Sequence, residues 1–162
     1  MKSQPNRDYK SDDVVMTPEP LAKKIINHFN PEGSVLEPCK GSGVFYNNFN
    51  NTNKYWCEIS ENIDFFDFDK KVDWIITNPP WSKIRNFLIH SMELSDNIVF
   101  LFTINHLWTK ARLRDIKEMG FGIKEIIIFD TPNNFPQSGF QVGVVYIKKH
   151  YIGNIKFTDW RG

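Results

Sequence analysis

Residues 34–43 read SVLEPCKGSG, a short apolar strand that runs directly into a glycine-rich loop, and a helix can begin at Val44. Glycines let the backbone approach a ligand closely, and the first turn of the following helix offers free N–H groups. The spacing matches neither the dinucleotide-binding fingerprint nor the P-loop, because the Lys-Ser/Thr pair is absent. The stretch therefore predicts a ligand-binding turn, and a turn that needs glycine only for its geometry is the alternative.

Strand and helix patterns alternate on both sides of this loop. Helices are predicted from Thr17, Ser82 and Trp108, with Thr17 as the N-cap of the first and Pro18 at its first position. Apolar runs predict further strands at residues 55–59, 73–77, 97–104, 123–129 and 141–148. Such alternation is typical of an α/β fold with a mostly parallel sheet. The last two strands leave no room for a crossover helix, so we expect residues 141–148 to run antiparallel.

Length and composition bound the class of protein. The chain has 162 residues, about one domain at roughly 150 residues each, so we expect a flexible arm over residues 1–16 and a single domain over residues 17–162. The net charge of +1 excludes a polybasic binder and leaves any nucleic-acid affinity to a local basic face. No apolar run approaches the roughly 18 residues that span a membrane, so we expect a cytoplasmic protein. Cys39 and Cys57 lack metal-ligand spacing with the histidines, so no metal site is expected.

A second motif, Asn78-Pro79-Pro80-Trp81, directly follows the strand at residues 73–77 and so lies at the same edge of the sheet. The prolines remove N–H donors and leave carbonyl acceptors, to which Asn78 adds its side-chain oxygen. Two acceptors aimed at one –NH2 group can bind both hydrogens and localise the nitrogen lone pair, which makes a poor nucleophile usable without a base. Trp81 offers a flat face for a planar heterocycle, worth roughly 1–3 kcal/mol per base. A structural turn with Trp81 in the core is the alternative.

Glu58 lies at the end of the strand that follows the glycine loop. A carboxylate at this place can accept hydrogen bonds from both hydroxyls of a ribose. Together, the loop and Glu58 predict a nucleoside-containing ligand at the carboxyl ends of the strands.

In their order along the chain, Pro18-Glu19-Pro20, the glycine loop, Glu58 and the motif at residues 78–81 resemble the S-adenosylmethionine-dependent N6-adenine methyltransferases. The resemblance runs from about residue 17 to residue 149. It implies the Rossmann-like class I methyltransferase fold, an α/β fold whose mostly parallel sheet has six or seven strands, helices on both faces and an antiparallel last strand. It also implies S-adenosyl-L-methionine as the cofactor, and residues 141–148 fit the antiparallel strand.

The resemblance assigns the catalytic motif and the substrate contacts. Asn78 and the carbonyl of Pro79 would bind the target amine, Pro80 would complete the rigid turn, and Trp81 would stack on the target base. The further candidate substrate contacts are Lys83, Arg85, His106, Phe135 and Phe140. The helix residues Lys110, Arg112, Arg114 and Lys117 are candidate phosphate contacts as well. A solvated helix face is the alternative for the basic residues, and a hairpin anchor for the two phenylalanines.

The resemblance also assigns the cofactor contacts. Glu58 would hold the ribose. The other predicted contacts lie at the start of the first helix, in the glycine loop and in a following acidic-aromatic pair: Thr17, Pro18, Glu37, Pro38, Cys39, Gly41, Gly43, Asp64 and Phe65. Asp67-Phe68 repeats the pattern of Asp64-Phe65 and remains an alternative adenine contact.

The sequence departs from larger relatives in two ways. Only residues 59–71 separate two predicted parallel strands, which is too short for a full crossover, so the helix and strand found there in relatives should be missing or vestigial. One side of the adenine pocket would then be exposed. We also expect no separate target-recognition domain, which predicts weak sequence discrimination, a homo-oligomer or a separate recognition subunit.

Three functions fit these residues. The first is an N6-adenine DNA methyltransferase of bacterial or phage type. The second uses the same chemistry on RNA adenine or on a protein glutamine amide. The third is a non-catalytic S-adenosylmethionine-binding subunit that needs a partner, against which the intact Asn78-Pro79-Pro80-Trp81 motif speaks.

Overall fold

The strands form one sheet in the computed structural model, which describes residues 15–162; most of the predicted arm, residues 1–14, lies outside the described residues. In chain order the strands are β1 (Val35–Glu37), β2 (Lys54–Trp56), β3 (Val72–Thr77), β4 (Ser95–Thr103), β5 (Phe121–Ile128), β6 (Val142–Lys149) and β7 (Lys156–Asp159). Their order across the sheet is β2-β1-β3-β4-β6-β5-β7. Strand β6 is antiparallel to both β4 and β5, whereas every other neighbouring pair is parallel. The predicted fold class is therefore confirmed.

One detail of that prediction is wrong, because the antiparallel strand is not the last strand. Strand β7 follows it and adds to the outer side of β5, with Phe157 opposite Ile126. Its residues are mostly exposed, and the apolar alternation of a half-buried strand is therefore missing. The strand is fixed by its ladder with β5 and by a hydrogen bond from the Thr158 hydroxyl to Glu125, 2.8 Å long.

Among the described residues, four helices cover the two faces of the sheet: α1 (Glu19–Phe29), α2 (Val44–Asn48), α3 (Ile84–Leu94) and α4 (Lys110–Glu118). Helices α1 and α2 belong to one apolar core cluster, and α3 and α4 to the other. Strand β4 supplies both clusters in alternation, with Phe100 on one face and Leu101 on the other, because successive strand side chains point to opposite faces. Within residues 15–162, no helix combines the length and apolar character needed to cross a bilayer.

The start of α1 differs from the prediction. The helix begins at Glu19 with Pro18 as its N-cap residue, and Pro18 makes no side-chain cap hydrogen bond. The prediction of Thr17 as N-cap is wrong because its hydroxyl faces the end of β3, where it accepts a hydrogen bond from Nδ2 of Asn78 at 3.3 Å. This contact ties the beginning of α1 to the candidate site.

The short connection between β2 and β3 is confirmed to lack a full crossover. It consists of two 3-10 turns, Ile59–Glu61 and Phe65–Asp67. Strand β2 is accordingly one edge of the sheet. The apolar side chains of Ile59, Ile63 and Phe66 are left exposed beside it.

Candidate functional site

A cavity of about 600 Å³ opens at the carboxyl ends of β1, β2 and β3. Ligands of open α/β sheets bind at this edge, where the strand order turns from one side to the other. The predicted site residues that line the cavity are Thr17, Pro38, Cys39, Gly41, Glu58, Asp64, Phe65, Asn78, Pro80 and Lys83. The two motifs found in the sequence therefore meet in one space.

The glycine loop needs its glycines for backbone conformation. Gly41 and Gly43 have φ values of 53° and 87°, in the left-handed region that side-chain-bearing residues rarely adopt. A Cβ atom on Gly41 would lie 3.1 Å from the sulfur of Met16, which also lines the cavity. The Gly41 N–H donates a hydrogen bond to the Glu58 carboxylate, 2.7 Å long.

Glu58 is held as an anion at the cavity. Besides the bond from Gly41, its carboxylate accepts hydrogen bonds from the backbone N–H and the hydroxyl of Ser60, at 3.1 and 2.8 Å. Burial acts to raise the pKa of Glu58, but these hydrogen bonds outweigh it, so the pKa is lowered overall. A fixed carboxylate of this kind accepts hydrogen bonds from paired hydroxyl groups.

Glu37 lies outside the cavity lining, contrary to the expectation that it contacts a cofactor directly. Its side chain is fully buried, where it accepts hydrogen bonds from the Thr77 hydroxyl and from the Cys39 N–H. Its second oxygen, Oε2, is buried and has no hydrogen-bond partner within residues 15–162, and burial raises the pKa of Glu37 well above its usual range. Glu37 therefore stabilises the glycine loop through the hydrogen bond that it accepts from the Cys39 N–H. Pro18 and Gly43 also lie outside the lining.

The other end of the cavity is aromatic. Phe65 and Phe66 line it, as does Phe87 of α3, whose ring stacks on Phe65 with centroids 5.1 Å apart. Asp64 accepts a hydrogen bond from the Phe66 N–H at 2.9 Å. Of the two acidic-aromatic pairs, Asp64-Phe65 is thus at the cavity, whereas Asp67-Phe68 is outside it. The sequence gives no sign of Phe87 as a cavity residue beyond its place on the apolar face of a helix.

Asn78 is fixed through both ends of its amide. Its Nδ2 group donates to the backbone carbonyl of Val15 at 2.9 Å and to Thr17. Its Oδ1 atom accepts a hydrogen bond of 3.2 Å from Nε1 of Trp81. The orientation of the Asn78 carbonyl is thereby set before any substrate is bound.

The predicted substrate aromatics differ in their placement. The Trp81 ring packs edge-on against Phe135, with centroids 6.1 Å apart, and tilted against His106 at 6.3 Å. Phe135 is buried, so it supports Trp81. Phe140 is exposed and lines a second cavity of about 360 Å³ with other residues of the β5–β6 loop. The structure thus groups Phe135 and His106 with Trp81, and separates Phe140 from them.

The segment Val15-Met16-Thr17 connects three parts of the site. Val15 and Met16, which were assigned to the flexible arm, both line the cavity. The Met16 carbonyl accepts a hydrogen bond of 2.7 Å from Nδ2 of Asn134 in the β5–β6 loop. The sequence offered no signal for the hydrogen bonds of Val15 and Met16, because they use backbone carbonyl groups.

The two basic residues after Trp81 have different surroundings. Lys83 lines the cavity. Arg85 forms an ion pair with Asp115, in which its Nε and Nη2 atoms lie 2.7 and 3.2 Å from the two carboxylate oxygens. Because the Arg85 guanidinium is already paired with Asp115, this ion pair argues against the phosphate contact predicted for Arg85.

The sheet has the Rossmann-like fold found in the class I S-adenosylmethionine-dependent methyltransferases. A candidate methyltransferase of that class from Listeria monocytogenes is 11% identical over 89% of this chain and 65% of that chain, with a TM-score of 0.66. A candidate RNA methyltransferase from Pyrococcus horikoshii is 18% identical over 86% of this chain and 88% of that chain, with a TM-score of 0.65.

A third similar structure is the M protein of the type I restriction enzyme EcoKI. It is 14% identical, and the match covers 94% of this chain and 49% of that chain with a TM-score of 0.65. The chain thus spans about half the length of that protein. Identities this low show the fold alone. By sequence, no protein-family model and no curated protein matches the chain.

Proposed function

We propose that the protein transfers a methyl group from S-adenosyl-L-methionine to the N6 amine of adenine in DNA. The observation that carries this proposal is the Asn78 amide, held by Val15 and Trp81 at the border of the glycine-loop cavity. An oriented amide oxygen beside a rigid Pro-Pro turn suits an –NH2 group attached to a flat ring.

The residues of the cavity fit the proposed cofactor. Its volume of about 600 Å³ falls within the range of ligand sites. Because Gly41 has no side chain, the space beside Met16 that a Cβ atom would fill stays open. Glu58 would accept hydrogen bonds from the ribose hydroxyls, and Phe65 would contact the adenine. Thr17 would lie near the methionine end. When bound, S-adenosylmethionine supplies a methyl group on a positively charged sulfur, already activated for transfer.

The protein's part in the reaction is to position the target amine. An amide oxygen accepts two hydrogen bonds, so Asn78 Oδ1 can hold an amine hydrogen while it still accepts the bond from Trp81. The Pro79 carbonyl would accept the second hydrogen. Fixed orientation of reacting groups can contribute about 7–11 kcal/mol to lowering a barrier. No general base is required by this arrangement.

Trp81 favours a nucleobase over a glutamine amide, because a large flat ring gains from stacking on an indole. DNA, and not RNA, is proposed because the Asn-Pro-Pro-Trp motif resembles that of the N6-adenine DNA methyltransferases. An adenine in a duplex would first be flipped out at a cost of a few kcal/mol. Discrimination between DNA sequences would come from a second copy or from a separate recognition subunit.

A substrate panel tests the proposal. The protein is incubated with methyl-labelled S-adenosylmethionine and, in turn, duplex DNA, single-stranded DNA, RNA and extract protein. Asn78→Ala is compared with Asn86→Ala, an exposed asparagine on α3. We expect label in DNA with the wild type and with Asn86→Ala, and a loss of at least about 100-fold with Asn78→Ala, as for other transition-state donors and acceptors.

The outcomes separate the alternatives. Asn78-dependent label in RNA or in glutamine would support the proposed methyl transfer but contradict DNA as the substrate. Cofactor binding without label in any substrate would favour the non-catalytic subunit. The absence of both binding and transfer would contradict the methyltransferase proposal as a whole.

A further inference from the structure

Within residues 15–162, Arg112 has no anionic partner, and its charge acts on His106, which packs against Trp81. Arg112 is in the first turn of α4, six residues after His106, whose ring lies 6.3 Å from the Trp81 ring. Its Nε atom is buried and has no hydrogen-bond partner among the described residues, and its Nη1 atom donates to the Thr109 hydroxyl at 3.0 Å. A guanidinium group has five N–H donors, so this arginine retains unused hydrogen-bonding capacity.

The surrounding charges do not neutralise Arg112. The carboxylate of Asp115 is engaged by Arg85 from α3, and within residues 15–162 no carboxylate lies within 4.0 Å of a nitrogen of Arg112. Burial and then the charge of Arg85 lower the pKa of Arg112, and Asp115 offsets only part of this. Burial lowers the pKa of His106 too, followed by the charge of Arg112. A cation that is both desolvated and repelled is destabilising until an anion binds it.

We propose that Arg112 binds the sugar-phosphate backbone of the nucleic acid whose adenine is presented to Asn78 and Trp81. The inference rests on the proposed function, and it names the phosphate contact of that same site. The phosphate of a nucleotide is one sugar away from its base, and the planar guanidinium fork matches the geometry of phosphate oxygens. Because such a contact reads no base, it positions the strand without selecting a sequence.

The basic residues nearby are distinguished by their partners. Arg85 is occupied by Asp115. Arg114, two residues after Arg112, is exposed on the same helix, and for it we adopt the solvated helix face in place of the phosphate contact. Arg114→Gln therefore removes the same charge from the same helix and is the matched control for Arg112→Gln.

The test measures binding of a fluorescently labelled, adenine-containing single-stranded oligonucleotide at several salt concentrations. We expect Arg112→Gln to weaken binding about tenfold, the effect of losing one hydrogen bond to a charged group, and to reduce the salt slope by about 0.7. Arg114→Gln should change the affinity less than about twofold, and Arg112→Lys should keep the salt slope. The melting temperature of Arg112→Gln should equal or exceed that of the wild type, because the removed cation is unpaired.

Three results would overturn the inference. The first is equal oligonucleotide binding by Arg112→Gln and Arg114→Gln. Methyl transfer is measured in parallel, and transfer that still depends on Asn78 would show that the proposed function stands although this inference fails. A lowered melting temperature with an unchanged salt slope would assign Arg112 a structural role. Stabilisation of the wild type by inorganic phosphate, without Arg112-dependent oligonucleotide binding, would assign the site to a free anion.

Discussion

Trp81 donates a hydrogen bond from its indole Nε1 to Oδ1 of Asn78, 3.2 Å away, and so joins the last residue of the Asn-Pro-Pro-Trp motif to the first. The bond gives the tryptophan a role that a phenylalanine could not fill. Its ring can stack on a base while its N–H fixes the direction of the Asn78 carbonyl.

Trp81→Phe should separate these two roles. The ring is kept and the hydrogen bond is lost, so we expect kcat to fall about five- to tenfold, the effect of losing a bond worth about 1 kcal/mol, with little change in KM for DNA. Trp74→Phe is the control, because Trp74 stacks on Tyr146 with centroids 5.3 Å apart, outside the cavity lining. Transfer by Trp81→Phe at the wild-type rate would show that the bond does not matter.

Glu58→Gln should weaken cofactor binding. The carboxylate beside Gly41 becomes a neutral amide that presents only one acceptor oxygen, so we expect the Kd for S-adenosylmethionine to rise about tenfold or more, as for hydrogen bonds of charged groups. Calorimetric titration measures this. Glu61→Gln is the control, because Glu61 pairs with Lys40 at 2.8 Å and lies outside the lining. Equal affinities of the two variants would remove Glu58 from the cofactor site.

Gly41→Ala should affect both stability and binding. Each alanine in the left-handed region costs roughly 1–2 kcal/mol, so Gly41→Ala and Gly139→Ala, at φ 53° and 82°, should both lower the melting temperature. Only at Gly41 does the new methyl group meet the cavity wall at Met16, whereas nothing lies within 4 Å of a Cβ atom on Gly139. Cofactor affinity should therefore fall in Gly41→Ala alone, and a fall in both variants would point to a general loss of folding.

The buried Glu37 predicts a specific dependence of stability on pH. Burial raises its pKa in the folded protein above the unfolded value, so its contribution is fully present at acidic pH below the unfolded pKa. That contribution is lost as the pH rises through the folded pKa. Glu37→Gln stays neutral, so its melting temperature relative to the wild type should increase from pH 5 to pH 9. A difference that stays constant over this range would show that the Glu37 carboxyl does not titrate differently in the two states.

The sequence predicted those parts of the site that depend on local backbone chemistry. Gly41 and Asn78 were found because glycine spacing and a Pro-Pro turn restrict the backbone wherever they follow a strand. Val15 and Met16 were missed because they act through carbonyl groups that every residue carries. Phe87 was missed because its helix-face position is the same for a core residue and for a cavity residue.

The partners of the basic residues could not be predicted from the sequence either. Arg85 and Arg112 are equivalent in sequence as basic residues on helices. Only the packing of α3 against α4 pairs Arg85 with Asp115 and leaves Arg112 without a carboxylate in the part of the chain that the structure describes. Strand β7 could not be predicted either. It is a strand because it pairs with β5, and it has no apolar pattern of its own.

The most direct test of the central claim identifies the methylated atom. Unmethylated DNA is incubated with the protein and S-adenosylmethionine, digested to nucleosides and analysed by mass spectrometry beside the same reaction with Asn78→Ala. The account predicts N6-methyladenine with the wild type and its loss with Asn78→Ala. Methylation at any other position of DNA, or N6-methyladenine formed equally by Asn78→Ala, would contradict it.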